Sequence, residues 1–303
     1  MNTTTNVIAI QALPGVGPKT SRSLINFLAQ ATDEQEFIER VLGQQRTTRR
    51  LARLTTKSIQ RAYGDALDVV SESAACGIDI HTILDSSYPS RLTALQDAPC
   101  VLFSRGGIAA LHCDRLVAIV GTREPSPFGK IQATRVARHF AERRTPVVSG
   151  LALGCDIAAH RACNALDAPS VAVLAHGLDS LHPATHRKDA ERVLEAGGCW
   201  ISEYPVGTEV RPYQFVRRNR LQIGLSDALV VIETNVNGGT MHTAEFANRQ
   251  RKPIVALEHT ARMAHIDQAQ GNQLLIARGA RALAAEESPD SIFEQVSQQG
   301  QLF

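Results

Sequence analysis

Apolar residues recur at three- and four-residue spacing through LINFLAQ, EQEFIERVL, RRLARLTTKSIQRAYG and ALDVVSESAACG. That period is helical, so residues 1–80 predict a small all-helical domain. Near its start, Leu13-Pro14-Gly15-Val16-Gly17-Pro18-Lys19 reads as a helix, a G-x-G turn and a second helix beginning near Pro18. Such a helix-hairpin-helix offers amides and Lys19 to a backbone phosphate, or simply packs two helices together. The pattern changes near Gly77, where IDIHTIL and PCVLFSRGG are short apolar runs bounded by turn residues, and residues 77–110 predict short strands leading into a second domain. From Leu116 onward the runs LVAIVG, TPVVSG, SVAVLAHG, CWISEYP, ALVVIET and PIVALE alternate with helical stretches such as FGKIQATRVARHFAERR, CDIAAHRACNAL, ATHRKDAERVLEAGG, NRLQIGLSD and GTMHTAEFANRQRK. Apolar strands without alternation, joined by helices, predict an α/β domain over residues 81–303 with a parallel sheet covered by helices on both faces. Ligands of such sheets bind beyond the carboxyl ends of the strands. The last stretch, EESPDSIFEQVSQQGQLF, predicts a short helix with a frayed tail.

Composition leaves the partner open. The chain is 44% hydrophobic and 20% charged with a net charge of +2, so any basic surface has to come from local clustering. Its six cysteines are scattered with none at metal-ligand spacing, which predicts buried free thiols in a reducing cytosol and no metal site. No basic, apolar leader opens the sequence and no run of about 18 apolar residues occurs. A cytoplasmic protein without a membrane partner is expected.

The strand-end loops carry the candidate chemistry. Gly121-Thr122-Arg123 follows the first strand of the second domain, and its glycine permits close backbone approach to a phosphate while Arg123 can fork onto phosphate oxygens. Ser149, Gly150 and Gly154 frame a second anion cradle, with Asp156 suited to capping the helix that carries His160. His160 reads as a structural hydrogen-bond partner rather than an acid–base group, and Cys155 as a thiol with no partner base. Arg187 and Lys188 open a helix, where cations oppose the dipole unless an anion is present. Arg211-Pro212-Tyr213-Gln214-Phe215-Val216-Arg217-Arg218-Asn219-Arg220 packs four arginines and two aromatics into ten residues, a mixture suited to phosphates and unstacked bases, and is read as another strand-end loop. Gly238, Gly239 and Thr240 open a further helix, whose amides and hydroxyl suit a phosphate or sugar.

Taken together, VAIVGTREPSPFG, SGLALGCDIAAH, HGLDSLHP, SEYPVGTEVRPYQFVRRNRLQIGLS, NGGTMHTAEFA and GNQLLIARGA resemble the DNA-processing protein A (DprA/Smf) family in order and spacing, over residues 8–285. The resemblance implies an extended Rossmann-like domain preceded by a SAM-like helical domain. It further implies a non-enzymatic protein without a cofactor that dimerises, binds and protects single-stranded DNA, and helps load a RecA-type recombinase during natural transformation. Position by position it implies contacts from Arg123, Gly150, Gly154, Arg217, Asn219 and Arg220, with Arg187 and Lys188 near a lysine contact and Arg218 outside the contact set. His186 stands where the family has asparagine, Cys155 where it has isoleucine, and IVALEHT where it has F-A-V-P-G. The chain stops without the winged-helix domain that many members carry.

Two other classes stay open at this level. A Rossmann-like sensor of a nucleotide-derived small molecule would use the same loops. A nucleoside-monophosphate phosphoribohydrolase would need G-G-x-G-T-x-x-E, of which Gly238, Gly239 and Glu245 are present while Met241 and His242 replace the internal Gly-Thr.

Overall fold

The computed structural model describes residues 2–263 and 265–293. The helix expected in the C-terminal stretch falls largely on residues 294–303, outside the described residues. The chain forms two compact units, Met1–Ser104 with Glu203–Thr208, and Arg105–Ser202 with Glu209–Phe303.

In the first unit, α1 (Asn2–Ala12), α2 (Pro18–Leu28), α3 (Glu34–Gly43) and α4 (Thr56–Ala75) are followed by β1 (Asp79–Thr82), a short α5 (Ser90–Thr93) and β2 (Val101–Arg105). Local chemistry sets the helix starts. Pro18 opens α2, the Asp33 carboxylate accepts from the Glu36 N–H at 2.8 Å, and Thr55 and Ser58 cap α4 reciprocally. The apolar positions Val7, Ile10, Leu28, Phe37, Val41, Leu51 and Ile59 are buried and form the core, with Phe37 against Tyr63 at 5.4 Å between ring centroids. Strands β1 and β2 pair antiparallel, Asp79 opposite Ser104 and Thr82 opposite Val101.

The second unit is Rossmann-like. Its strands are β3 (Val117–Val120), β4 (Val147–Ser149), β5 (Ser170–Val173), β6 (Cys199–Ser202), β7 (Ala228–Val231), β8 (Ile254–Leu257) and β9 (Arg281–Leu283). Its helices are α6 (Pro127–Glu142), α7 (Cys155–Asn164), α8 (Arg187–Glu195), α9 (Pro212–Leu225), α10 (Gly239–Arg249) and α11 (Asp267–Ala277). The strands lie in the order β6-β5-β4-β3-β7-β8-β9 and pair in parallel. Side chains alternate across the sheet: Val117 and Ile119 face a core with Val136 and Phe140 of α6 and Ala159 of α7, while Ala118 and Val120 face Ile223 of α9, Ala244 of α10 and Leu275 of α11. Covering both faces is why these strands are apolar throughout. The chain steps outward from β3 to β6 and then returns to β7 beside β3, in register Val120 opposite Val231. The sheet therefore has its topological switch point at β3 and β7, where a crevice opens beyond the strand ends.

Candidate functional site

A cavity of about 470 Å³ lies at this switch point, lined by residues that include Gly121, Thr122 and Arg123 after β3, Thr234, Asn235 and Gly238 to Thr240 around the start of α10, and Phe215, Arg218, Asn219 and Gln222 of α9. The arginine-rich segment is not a loop, as its composition suggested, but most of α9. Pro212 sits at the first helical position and Gln214 accepts from the Arg211 backbone N–H, so the residue types that favour nucleic acid are carried on a helix. Helical geometry then sorts them. Phe215, Arg218, Asn219 and Gln222 stand at i, i+3, i+4 and i+7 and form one stripe facing the cavity.

Arg218 is buried. Its guanidinium donates to the Gly150 carbonyl at 3.0 Å and to the Val173 carbonyl, and its Nε donates to the Asn219 side-chain oxygen at 3.1 Å. Burial pulls its pKa down to about 10 against the opposing attraction of Asp156, so it stays charged at neutral pH. A Cβ on residue 150 would sit 2.4 Å from that guanidinium, which is why glycine stands there. Asp156, also buried, accepts from the Gly150 N–H at 3.1 Å and so holds the loop before α7 rather than capping the helix, whose N-cap is Gly154. Burial raises the Asp156 carboxyl, with Arg218 pulling it the other way. Asn219 in turn donates to the Thr243 hydroxyl at 2.8 Å and ties α9 to α10. The Gln222 Nε2 is buried beside the cavity without a hydrogen-bond partner among the described residues.

The cavity combines charge, flat apolar surface and backbone donors. Arg123, exposed, stacks over the Phe215 ring at 5.2 Å to the centroid, and His182 packs on the same ring at 5.9 Å. Opposite, α10 opens on Gly238 with no side-chain cap, leaving its N-terminal amides and the positive end of its dipole to the cavity. Asn272 fixes the loop before α10: its Oδ1 accepts from the Thr234 N–H at 3.0 Å while its Nδ2 donates to the Ile232 and Leu257 carbonyls. Below the loop after β3, the buried Glu233 carboxylate accepts from the Ser126 N–H at 2.7 Å and hydroxyl at 2.6 Å and contacts His259 at 3.1 Å. Burial works to raise the Glu233 carboxyl, but the bonds from His259 and Ser126 prevail and hold it below its ordinary value. The loop is thus anchored from beneath at a fixed charge.

A profile of the DNA recombination-mediator protein A family matches residues 79–297. The chain belongs to this family. Protein Smf of Escherichia coli K12 is 38% identical over 170 residues, 56% of this chain and 45% of its own length. The match to Protein Smf of Synechocystis, at 32% identity, likewise spans 50% of that relative, so the chain aligns with about half the length of these proteins. DNA processing protein DprA of Bacillus subtilis is 28% identical over 239 residues, 78% of each chain. Among solved structures, Streptococcus pneumoniae DprA superposes with a TM-score of 0.74 at 23% identity, covering 92% of this chain and 94% of that one. Helicobacter pylori DprA, whose structure addresses its single-stranded DNA binding mode, gives 0.63 at 26% identity over 74% and 98%.

Of the residues singled out from the sequence, Gly121, Thr122, Arg123, Asn219, Gly238, Gly239 and Thr240 line one cavity. The others lie elsewhere. Ser149 is buried and donates to the Ile119 carbonyl at 2.7 Å, and Gly150 and Gly154 shape the loop around Arg218 and Thr122. Gly154 has a φ of +81°, and a Cβ there would lie 2.3 Å from the Thr122 oxygen. Arg187 lines a separate small depression with Trp200, and Lys188 is exposed in the first turn of α8. Arg217 is exposed and Arg220 buried, neither in the cavity lining. Arg218, left out by motif matching, is in it, as are Phe215 and Gln222; the helical spacing of α9 was the signal that finds them.

The positions where this chain departs from the DprA pattern are absorbed structurally. The Cys155 side chain packs against Gly121, where an added Cβ would be 2.4 Å from the sulfur. The His186 Nδ1 meets the Leu151 carbonyl at 3.0 Å, and His259 is the Glu233 partner. Burial pushes the Cys155 thiol well up and the His160 imidazole down to about 4, with the His160 Nδ1 held by Ser170 at 3.0 Å.

Proposed function

We propose that the switch-point cavity binds single-stranded DNA. The observation that carries this reading is the α9 stripe facing the α10 N-terminus: a guanidinium-backed aromatic face on one wall and uncapped backbone amides on the other. Arg123 and the α10 amides serve the phosphates, and Phe215 stacks a base. Arg218 acts from beneath as a fixed positive charge whose geometry is set by Gly150, Val173 and Asp156. The kinship with H. pylori DprA, described for its single-stranded DNA binding, supports the same reading.

The protein acts in this reading as a binder and not as an enzyme. Cys155 and His160, the nucleophile and base weighed from the sequence, are buried in the packing of α7 and held neutral. Acting as a homodimer, it protects the strand and delivers it to a RecA-type recombinase during DNA uptake. The test is fluorescence anisotropy with labelled oligo-dT at low and moderate salt. Wild type binds with strong salt dependence, and Phe215→Ala weakens binding by about 1–3 kcal/mol, roughly 5- to 150-fold. Equal affinity of wild type and the Arg123→Ala, Phe215→Ala double variant would contradict the proposal.

A further inference from the structure

The first unit holds a charge concentration that the cavity reading does not use. From Gln44 to Arg61 the chain carries Arg46, Arg49, Arg50, Arg53, Lys57 and Arg61 and no acidic residue, although its whole net charge is only +2. The rest of the protein is therefore net negative, and the positive charge is focused on one short segment. All six cations are exposed. Among the described residues only Arg61 of the six approaches an acid, Asp65 at 4.0 Å with both side chains largely in solvent, a pairing of negligible strength.

This segment is an ordered turn. Leu51, Leu54 and Ile59 are buried as anchors, the Gln45 Nε2 donates to the Leu54 carbonyl at 2.7 Å, and successive turns close through Leu51 N–H to Thr48 O and Leu54 N–H to Leu51 O, both 2.9 Å. The fold directs its apolar side chains inward here and holds the arginines out. Like charges so arranged repel. Lys57 lies in the first turn of α4, which has no acid, and meets the positive end of the helix dipole, while Lys57 and Arg61 are an i,i+4 pair of equal sign. Each feature is unfavourable in the free protein and becomes favourable against an anion.

The chemistry selects the anion. Five of the six cations are arginines, whose forked donors match phosphate oxygens. The patch exposes no large apolar side chain, so it lacks both the face that would enter a bilayer and the buried anchor that would organise a protein interface. It exposes no aromatic ring for stacking bases, so it reads backbone charge, which is densest on a duplex. We propose that the Arg46–Arg61 segment is a second nucleic-acid surface that grips the phosphate backbone of duplex DNA. It does not depend on the cavity reading.

The full chain is titrated by anisotropy against a short labelled duplex across a salt series, alongside oligo-dT and anionic phospholipid vesicles. Arg49→Gln, Arg50→Gln and Arg53→Gln together should weaken duplex binding at least roughly tenfold at low salt and reduce the salt slope by about 2.7, at roughly 0.9 for each phosphate no longer neutralised. The corresponding triple lysine variant, which keeps the charge, should retain most of the affinity. The cavity variant Arg123→Ala with Phe215→Ala should leave duplex affinity in place while losing oligo-dT. The inference is overturned if wild type does not bind duplex, if the glutamine variant binds it as wild type does, if lysine fails as fully as glutamine, or if only vesicle binding responds. Unchanged oligo-dT affinity in the cavity variant would count against the cavity reading alone, while the duplex titrations decide for or against the basic turn.

Discussion

Arg218→Met keeps the length and apolar stem of the side chain but removes its charge, and it isolates the electrostatic centre of the cavity. In the native protein the guanidinium offsets the buried Asp156 carboxylate and satisfies the Gly150 and Val173 carbonyls. Without it the carboxylate is buried with no opposite charge, a change that destabilises by about 3–5 kcal/mol. For a unit of about 200 residues each kcal/mol shifts Tm by roughly 2–4 °C, so a fall of roughly 6–20 °C is expected. The deficit depends on pH with a definite sign. Burial raises the folded-state Asp156 pKa, so its contribution favours the fold below the unfolded carboxylate value and is lost as pH rises through the folded one. Removing Arg218 raises that folded value further, so the loss is full at neutral pH and shrinks on acidification. Thermal unfolding followed by circular dichroism at neutral and mildly acidic pH measures both effects, and Asp156→Asn in the same background should restore most of the Tm. A Tm for Arg218→Met equal to wild type, or a double variant no more stable than the single, would refute the coupling.

Other consequences follow from the same contacts. Gly154→Ala should lower the Tm markedly, because φ of +81° and a 2.3 Å approach to the Thr122 oxygen put both strain and overlap on the added methyl, together about 1–3 kcal/mol or more. Glu233 has a folded pKa below its ordinary value, so its contribution is present above the unfolded value and lost as pH falls through the folded one; Glu233→Gln should flatten the acid limb of the stability profile. Thiol titration at neutral pH should modify the half-buried Cys76 and Cys113 readily and leave Cys163 and Cys199, pushed up to about 12 by burial, unreacted until denaturation.

The sheet was legible in the sequence because strands buried on both faces, such as VAIV of β3 and ALVV of β7, read as unbroken apolar runs separated by helical stretches. The glycine loops after β3 and before α10 were legible for a similar local reason. The arginine segment was misread because residue type was weighed over period: Pro212 at the helix start and the 215, 218, 219, 222 spacing were the competing signals, and they place α9 against the cavity. That Arg218 would be buried against the cavity is not written locally at all. It depends on Asp156, Gly150 and Val173, which only the tertiary fold brings to it. The Asn272 anchor of the α10 loop is hidden in the same way, and the basic turn of the first unit is masked by a whole-chain charge near zero.

The central claim, that a single DNA strand occupies the cavity between α9 and the α10 N-terminus, is tested most directly by photo-crosslinking oligo-dT carrying 4-thiothymidine to the full chain and mapping the adducts by mass spectrometry. Adducts concentrated on the peptides that contain Arg123 and Phe215, lost on Phe215→Ala and competed by unlabelled oligo-dT, are the predicted result. Specific adducts confined to other peptides, or no competable adduct under conditions where the protein is folded, would contradict it.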